Sequence, residues 1–188
     1  FKPNLGAIQV MNRRVVITGM GIISSIGNNV NDFCNSLLSC QTGVGLVTHF
    51  DVTNYKTKIA AEVKNFSIDK YMNPKDARRL DIFCQFAIAA ADEAVINAGF
   101  TKDFAGVNQE RVGVLVGSGI GGFHIIAEQH QILLEKGPDR VSPFFIPMAI
   151  GDMASGYIAI RHGVKGPNYG IVTACASATH SIGEAYWN

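Results

Sequence analysis

Charge is scarce in this chain, and what there is cancels: 16 Lys and Arg stand against 15 Asp and Glu, a formal net charge of +1. That balance gives no global signal for nucleic acid or for a membrane. Long apolar runs are missing too. No stretch of about 20 apolar residues occurs, so no membrane-spanning helix is expected. There are only four cysteines, Cys34, Cys40, Cys84 and Cys175, and none has a partner at C-x-x-C spacing. This argues against a zinc site or a redox pair and fits reduced thiols in a reducing compartment. No internal repeat or low-complexity tract is present. What the chain does have is apolar residues, 47% of 188, enough to bury a sizeable core in one α/β unit.

The apolar residues are distributed as alternating short runs and helical stripes. Val15–Thr18, Ile59–Val63, Arg111–Val116 and residues 168–172 read as strands. Helices are predicted over Asn31–Ser39, Asp76–Asn97, Phe123–Glu135 and Met148–Arg161, and again from Ala176 to Trp187. Gly99 and the pair Gly137–Pro138 serve as stops. Strands alternating with helices imply a mostly parallel sheet covered on both faces. Met11 reads as a native start, and residues 1–10 as a tag or leader remnant outside the fold, leaving 11–188 as the folded unit.

One cysteine falls where a strand gives way to a helix, in Ile171–Val172–Thr173–Ala174–Cys175–Ala176–Ser177–Ala178–Thr179–His180. Thr173 is placed to cap the helix, with Cys175 in its first turn. Amide N–H groups there have no partner in the helix, and the helix dipole favours an anion. Both effects favour the thiolate, the nucleophilic form, and the same amides suit an oxyanion. The segment alone also fits a small buried core thiol. His180, five residues on, lies roughly 140° around the helix from Cys175 and reads as a structural contact rather than a base. His49, His124, His130 and His162 have no motif context.

Gly117, Gly119 and Gly122 form G-x-G-x-x-G between a strand and a helix. A dinucleotide site also needs an acid at a strand end about 20 residues on. The nearest acid, Asp139, sits in a Gly–Pro loop, so the glycines read instead as a loop that passes close to its neighbours. Lys75, Arg78 and Arg79 at i, i+3 and i+4 share one helix face. Such a cluster is either a solvated face or a docking patch.

The segment Thr173–Ala174–Cys175–Ala176–Ser177, with His180 and Gly183, resembles the nucleophile segment of the β-ketoacyl-acyl carrier protein synthases. Three further stretches agree in order: Arg14–Gly21, Gly117–Gly122 and Ser142–Pro147. The resemblance runs from about Arg13 to Trp187 and is greatest to the type II condensing enzymes of dissociated fatty acid synthesis. It implies an α/β thiolase-like fold, this chain supplying the N-terminal half of a molecule whose two halves stack as αβαβα layers. It further implies Cys175 as the acyl-accepting nucleophile and one oxyanion amide, and Ile120 and Phe145 at the acyl pocket. Lys75, Arg78, Arg79 and Arg140 match the patches that dock the acidic acyl carrier protein. Asp139 departs from the base carried there by close relatives.

By the same resemblance the enzyme is a homodimer, with strand 168–172 pairing with its twin, and needs no metal or organic cofactor. The family's two catalytic histidines and its lysine belong to the other half, so 1–188 alone is expected to be inactive in condensation. The expected compartment is the bacterial cytoplasm, with plastid or mitochondrion as the alternative. Two relatives of the same fold remain as alternatives: a non-catalytic chain-length-factor partner, which lacks the cysteine, and a thiolase acting on coenzyme A thioesters.

Overall fold

The computed structural model describes residues 14–188. The tag or leader reading of residues 1–10, and Met11 as a start, lie outside the described residues. Helix α1 (Val30–Leu38) begins where the Asn29 side chain accepts the Asp32 N–H at 2.8 Å. Strands β1 (Val44–Leu46) and β2 (Ile59–Ala61) form an antiparallel pair, Val44 opposite Ala61. A single-turn helix α2 (Pro74–Ala77) leads into the long α3 (Ile82–Asn97). Then follow β3 (Val114–Gly117), α4 (Phe123–Lys136), α5 (Phe145–Ala149), α6 (Met153–His162), β4 (Asn168–Ile171) and α7 (Ser177–Trp187).

Strands β3 and β4 pair in parallel, with Val114 opposite Asn168 and Gly117 opposite Ile171. Helices α6 and α7 both pack on this pair, and α3 packs on α6. The core sits between α3 and α6: Leu80, Cys84 and Ile88 meet Ala154 and Ile158, with Val114 and Val116 of β3 packed against them. Each large aliphatic group buried there contributes roughly 1.5–3 kcal/mol.

Several predicted elements come out shorter or divided. The single helix expected over 76–97 is broken at 78–81, because Asp81 takes extended backbone and caps α3, its carboxylate accepting the Phe83 N–H. The face expected to align Lys75, Arg78 and Arg79 is therefore not a continuous helix face. The helix expected over 148–161 divides into α5 and α6 at Ile150, whose backbone is extended. Arg111 belongs to a 3-10 turn rather than to β3. Val15–Thr18, expected as a strand, belongs to no ladder. It stands across a cavity of about 590 Å³ from Val112–Leu115. Its attachment is instead to α3: Asn97 Oδ1 accepts the Met20 N–H at 3.0 Å and Glu93 Oε2 the Ile22 N–H at 3.0 Å. The sheet expected to be mostly parallel comprises, among the described residues, one parallel and one antiparallel pair.

A buried carboxylate fastens α6 to α3. Asp92, 1% exposed, accepts two 2.6 Å hydrogen bonds from Arg161, through Nε and Nη2, and one of 2.9 Å from Lys102 Nζ. Arg161 Nη2 also donates to the Tyr71 carbonyl at 2.6 Å. Burial works to raise the Asp92 pKa, but the hydrogen bonds and charges of Arg161 and Lys102 outweigh it and hold it below the usual carboxylate value.

Two measurements check these points. Cys40 ends α1 in the left-handed region, φ 55°, with its N–H on the Leu37 carbonyl and that of Gln41 on Ser36. That is the helix-end position glycine favours, so Cys40→Gly raises stability by about 1 kcal/mol in a thermal melt. The lowered Asp92 pKa stabilises the fold above the unfolded aspartate value of about 3.9, and this contribution is lost as pH falls through the folded value. Asp92→Asn therefore costs about 3 kcal/mol at neutral pH in urea unfolding and flattens the acid limb below about pH 4.

Candidate active site

Parallel strands send their C-terminal ends to the same side, the usual place for a site in an α/β sheet. Because Gly117 and Ile171 are register partners, the loops that follow β3 and β4 leave side by side. After β3 comes the glycine loop, 117–122, with Ile120 at 67% exposure. After β4 comes the turn that carries Cys175.

Glycine is required twice in the first loop. A Cβ on Gly117 would lie 2.5 Å from the Ser177 carbonyl, so only glycine lets β3 end against the first turn of α7. Gly121, at φ 85°, would meet the Ala149 carbonyl at 2.5 Å. The loop is pinned by the Gly122 N–H on Ala149 O at 2.7 Å and the Gly121 N–H on Ser118 Oγ at 3.0 Å. A Cβ on Gly119 would come within 3.8 Å of the Ala174 carbonyl, so the loop passes beside the cysteine turn.

The cysteine turn differs from the expected cap. Residues Ala174–Ala176 form a 3-10 turn, and α7 starts only at Ser177. Cys175 thus precedes the helix instead of lying in its first turn. Thr173 does not cap with its side chain. Its hydroxyl is 2.8 Å from His180 Nδ1, which makes His180 a structural contact as its angular position implies. The Ser177 hydroxyl instead reaches back across the turn and accepts the Thr173 N–H at 2.9 Å. The Cys175 side of the turn faces solvent: the residue is exposed, and among the described residues no backbone acceptor engages its N–H. Cys84 is the opposite case. Burial, helped by the charges of Asp81 and Asp152, pushes its thiol up to about 12, so it stays protonated and inert.

The other predicted site residues lie apart from this turn. Phe145, half-buried, lines an apolar groove of about 260 Å³ with Ile126, Leu133 and Val141 of the α4–α5 side. Lys75, Arg78, Arg79 and Arg140 are all exposed. The Arg79 guanidinium sits 4.9 Å from the centre of the Phe144 ring, which brings the α2 turn alongside the segment carrying Arg140.

Two residues escape the sequence reading. Asp81, 3% exposed, caps two helices at once: Oδ1 accepts the Phe83 N–H of α3 at 3.3 Å and Oδ2 the Ile125 N–H of α4 at 3.0 Å. An aspartate just ahead of an apolar helical stripe is an N-cap signal for α3, but nothing in the sequence announces the link to α4. Ser177 reads as an ordinary first-turn residue.

The fold that carries this glycine loop and exposed cysteine is shared with solved ketosynthases. The ishigamide ketosynthase/chain length factor superposes with a TM-score of 0.77 at 31% identity, over 92% of this chain and 45% of that one. A type II polyketide ketosynthase in complex with its acyl-carrier protein and bound to the hexaketide also gives 0.77, at 22% identity, over 93% and 46%. Residues 12–188 match the sequence model of the β-ketoacyl synthase N-terminal domain, and the chain belongs to that family. The 3-oxoacyl-[acyl-carrier-protein] synthase 2 of Vibrio cholerae is 47% identical over 176 residues, which cover 92% of this chain and 41% of that protein. Its namesake from Staphylococcus aureus strain N315 is 49% identical over 175 residues, 93% and 42%. The chain thus spans about two fifths of the length of these curated relatives.

Because one carboxylate closes the first turns of two helices, Asp81→Ala costs about 2–3 kcal/mol in urea unfolding. Amide exchange then quickens at Phe83 and Ile125 together, whereas a cap on α3 alone would release only Phe83.

Proposed function

We propose that this chain is the nucleophile-bearing half of a 3-oxoacyl-[acyl-carrier-protein] synthase, which elongates acyl chains by decarboxylative Claisen condensation. The reading is carried by Cys175: a solvent-facing thiol with an unengaged N–H, on a turn flanked by the glycine loop, in a chain of the β-ketoacyl synthase family. The Cys175 thiolate attacks the acyl thioester on the carrier protein, the carrier thiol leaves, and the acyl group is held as a thioester on Sγ. The Cys175 N–H is the oxyanion donor this chain offers to the tetrahedral intermediate. A malonyl thioester then loses carbon dioxide, and its carbanion attacks the acyl carbonyl. The products are a β-ketoacyl thioester and the free Cys175 thiolate. Polarising the malonyl group falls to the histidines and lysine that the family resemblance assigns to the second half. Residues 1–188 account for the acyl transfer step.

Ile120 is the side chain that gates the acyl pocket, and Phe145 lines the pocket of a partner subunit. The acidic carrier protein docks on Lys75, Arg78 and Arg79, with Arg140 as a second point. The exposure of all four supports this reading, and the Arg79–Phe144 contact brings the two points near each other. The protein works as a homodimer through the edge of β4, which pairs only with β3 among the described residues. Its compartment is the bacterial cytoplasm. No helix among the described residues is long and apolar enough to cross a membrane.

An acid-quenched reaction of the protein with an acyl thioester of the carrier protein, digested and weighed peptide by peptide, tests this. The acyl mass is expected on the peptide bearing Cys175 and is absent from Cys175→Ser. An acyl group found on Cys34 or Cys40 while Cys175 stays free would refute the assignment.

A further inference from the structure

Ala174, immediately before Cys175, is a non-glycine residue in the left-handed region, φ 50°. An alanine stays in such a conformation only where its surroundings hold it. The Ser177 side chain is placed to do so. Its hydroxyl accepts the Thr173 N–H at 2.9 Å and donates to the Ala174 carbonyl at 2.8 Å, and the residue is 4% exposed. Those two backbone groups flank the Ala174 dihedrals, so rotation at Ala174 breaks one bond or the other.

The Ser177 backbone is crowded as well: Ser181 Oγ donates to its carbonyl at 3.0 Å, and β3 ends at Gly117 directly against the same carbonyl. The contact between His180 and Thr173 is a separate side-chain bond and leaves the two backbone groups to Ser177.

We infer that Ser177 is a positioning residue for Cys175. Its one hydroxyl locks Ala174 in the left-handed turn and so aims the thiol and its unengaged N–H outward. The inference rests on the reading of Cys175 as the acyl acceptor. Ser177 needs both a donor and an acceptor on one atom, which threonine keeps and alanine lacks.

Iodoacetamide labelling of the full chain, followed at each cysteine by peptide mass spectrometry between about pH 6 and 9, tests it. In the wild-type chain Cys175 outpaces Cys34 and Cys40, the exposed references, while buried Cys84 stays unlabelled and reports the fold. Ser177→Ala slows Cys175 about tenfold, as the loss of two neutral hydrogen bonds implies, and moves its pH–rate profile. Cys34, Cys40 and Cys84 keep their wild-type rates, and Ser177→Thr restores Cys175. A wild-type profile at Cys175 in Ser177→Ala overturns the inference but leaves the acyl-acceptor reading standing. A wild-type Cys175 no faster than Cys34 and Cys40 overturns that reading and the inference with it. If Ser177→Ala opens Cys84 to labelling, a thermal double-mutant cycle with Ala174→Gly decides. Glycine adopts the turn unaided, so losing the hydroxyl lowers the midpoint less in the Ala174→Gly background, and equal losses overturn the inference.

Discussion

The parallel pairing of β3 with β4 is the constraint on which the rest depends. Its register puts Gly117 beside Ile171, and everything chemically interesting follows from what leaves those two positions. One loop needs glycine so that β3 can end against α7, and the other needs a sharp turn to enter α7 at all. Two strands of four residues each are too few to hold such a corner alone. The corner holds because α6 and α7 both pack on the pair and α3 backs α6.

The buried polar groups divide the work of fixing these helices. Asp92 and its two cationic partners tie α6 to α3, where a full charge is compensated by full charges. Near the thiol the fastening uses the hydroxyls of Ser177 and Ser181 and the contact of Thr173 with the His180 ring. Cys84 in the core shows what the same element becomes without an exposed turn: a thiol held protonated by burial.

Much of the fold was legible in the sequence, for reasons tied to particular residues. The strand at 168–172 and the cysteine behind it stand out because Gly166–Pro167 resets the backbone and β-branched residues follow. The strand at 111–116 shows up through its apolar run, although Arg111 belongs to a 3-10 turn and the ladder starts only at Val114. The breaks within 76–97 and 148–161 are masked by apolar spacing that persists across them, although Asp81 carries an N-cap signal for α3. Asp81 reaches α4 through the Ile125 N–H, and Ile150 turns extended beside the glycine loop. Val15–Thr18 has the composition of a strand but no ladder partner, which composition does not report. The place of Cys175 between a strand and a helix was legible from the spacing, while its role as acyl acceptor rests on the family resemblance. The turn that presents it was not legible, since Ser177 acts by bonding backwards along the chain to residues it follows.

Asp81 also makes one joint out of two. Arg78 and Arg79 stand just ahead of it on the exposed side, and the helix it reaches across to begins where the glycine loop ends. The same carboxylate thus joins the corner where the arginines stand to the helix that leaves the glycine loop, and a displacement of Asp81 would strain its bond to the first turn of α4.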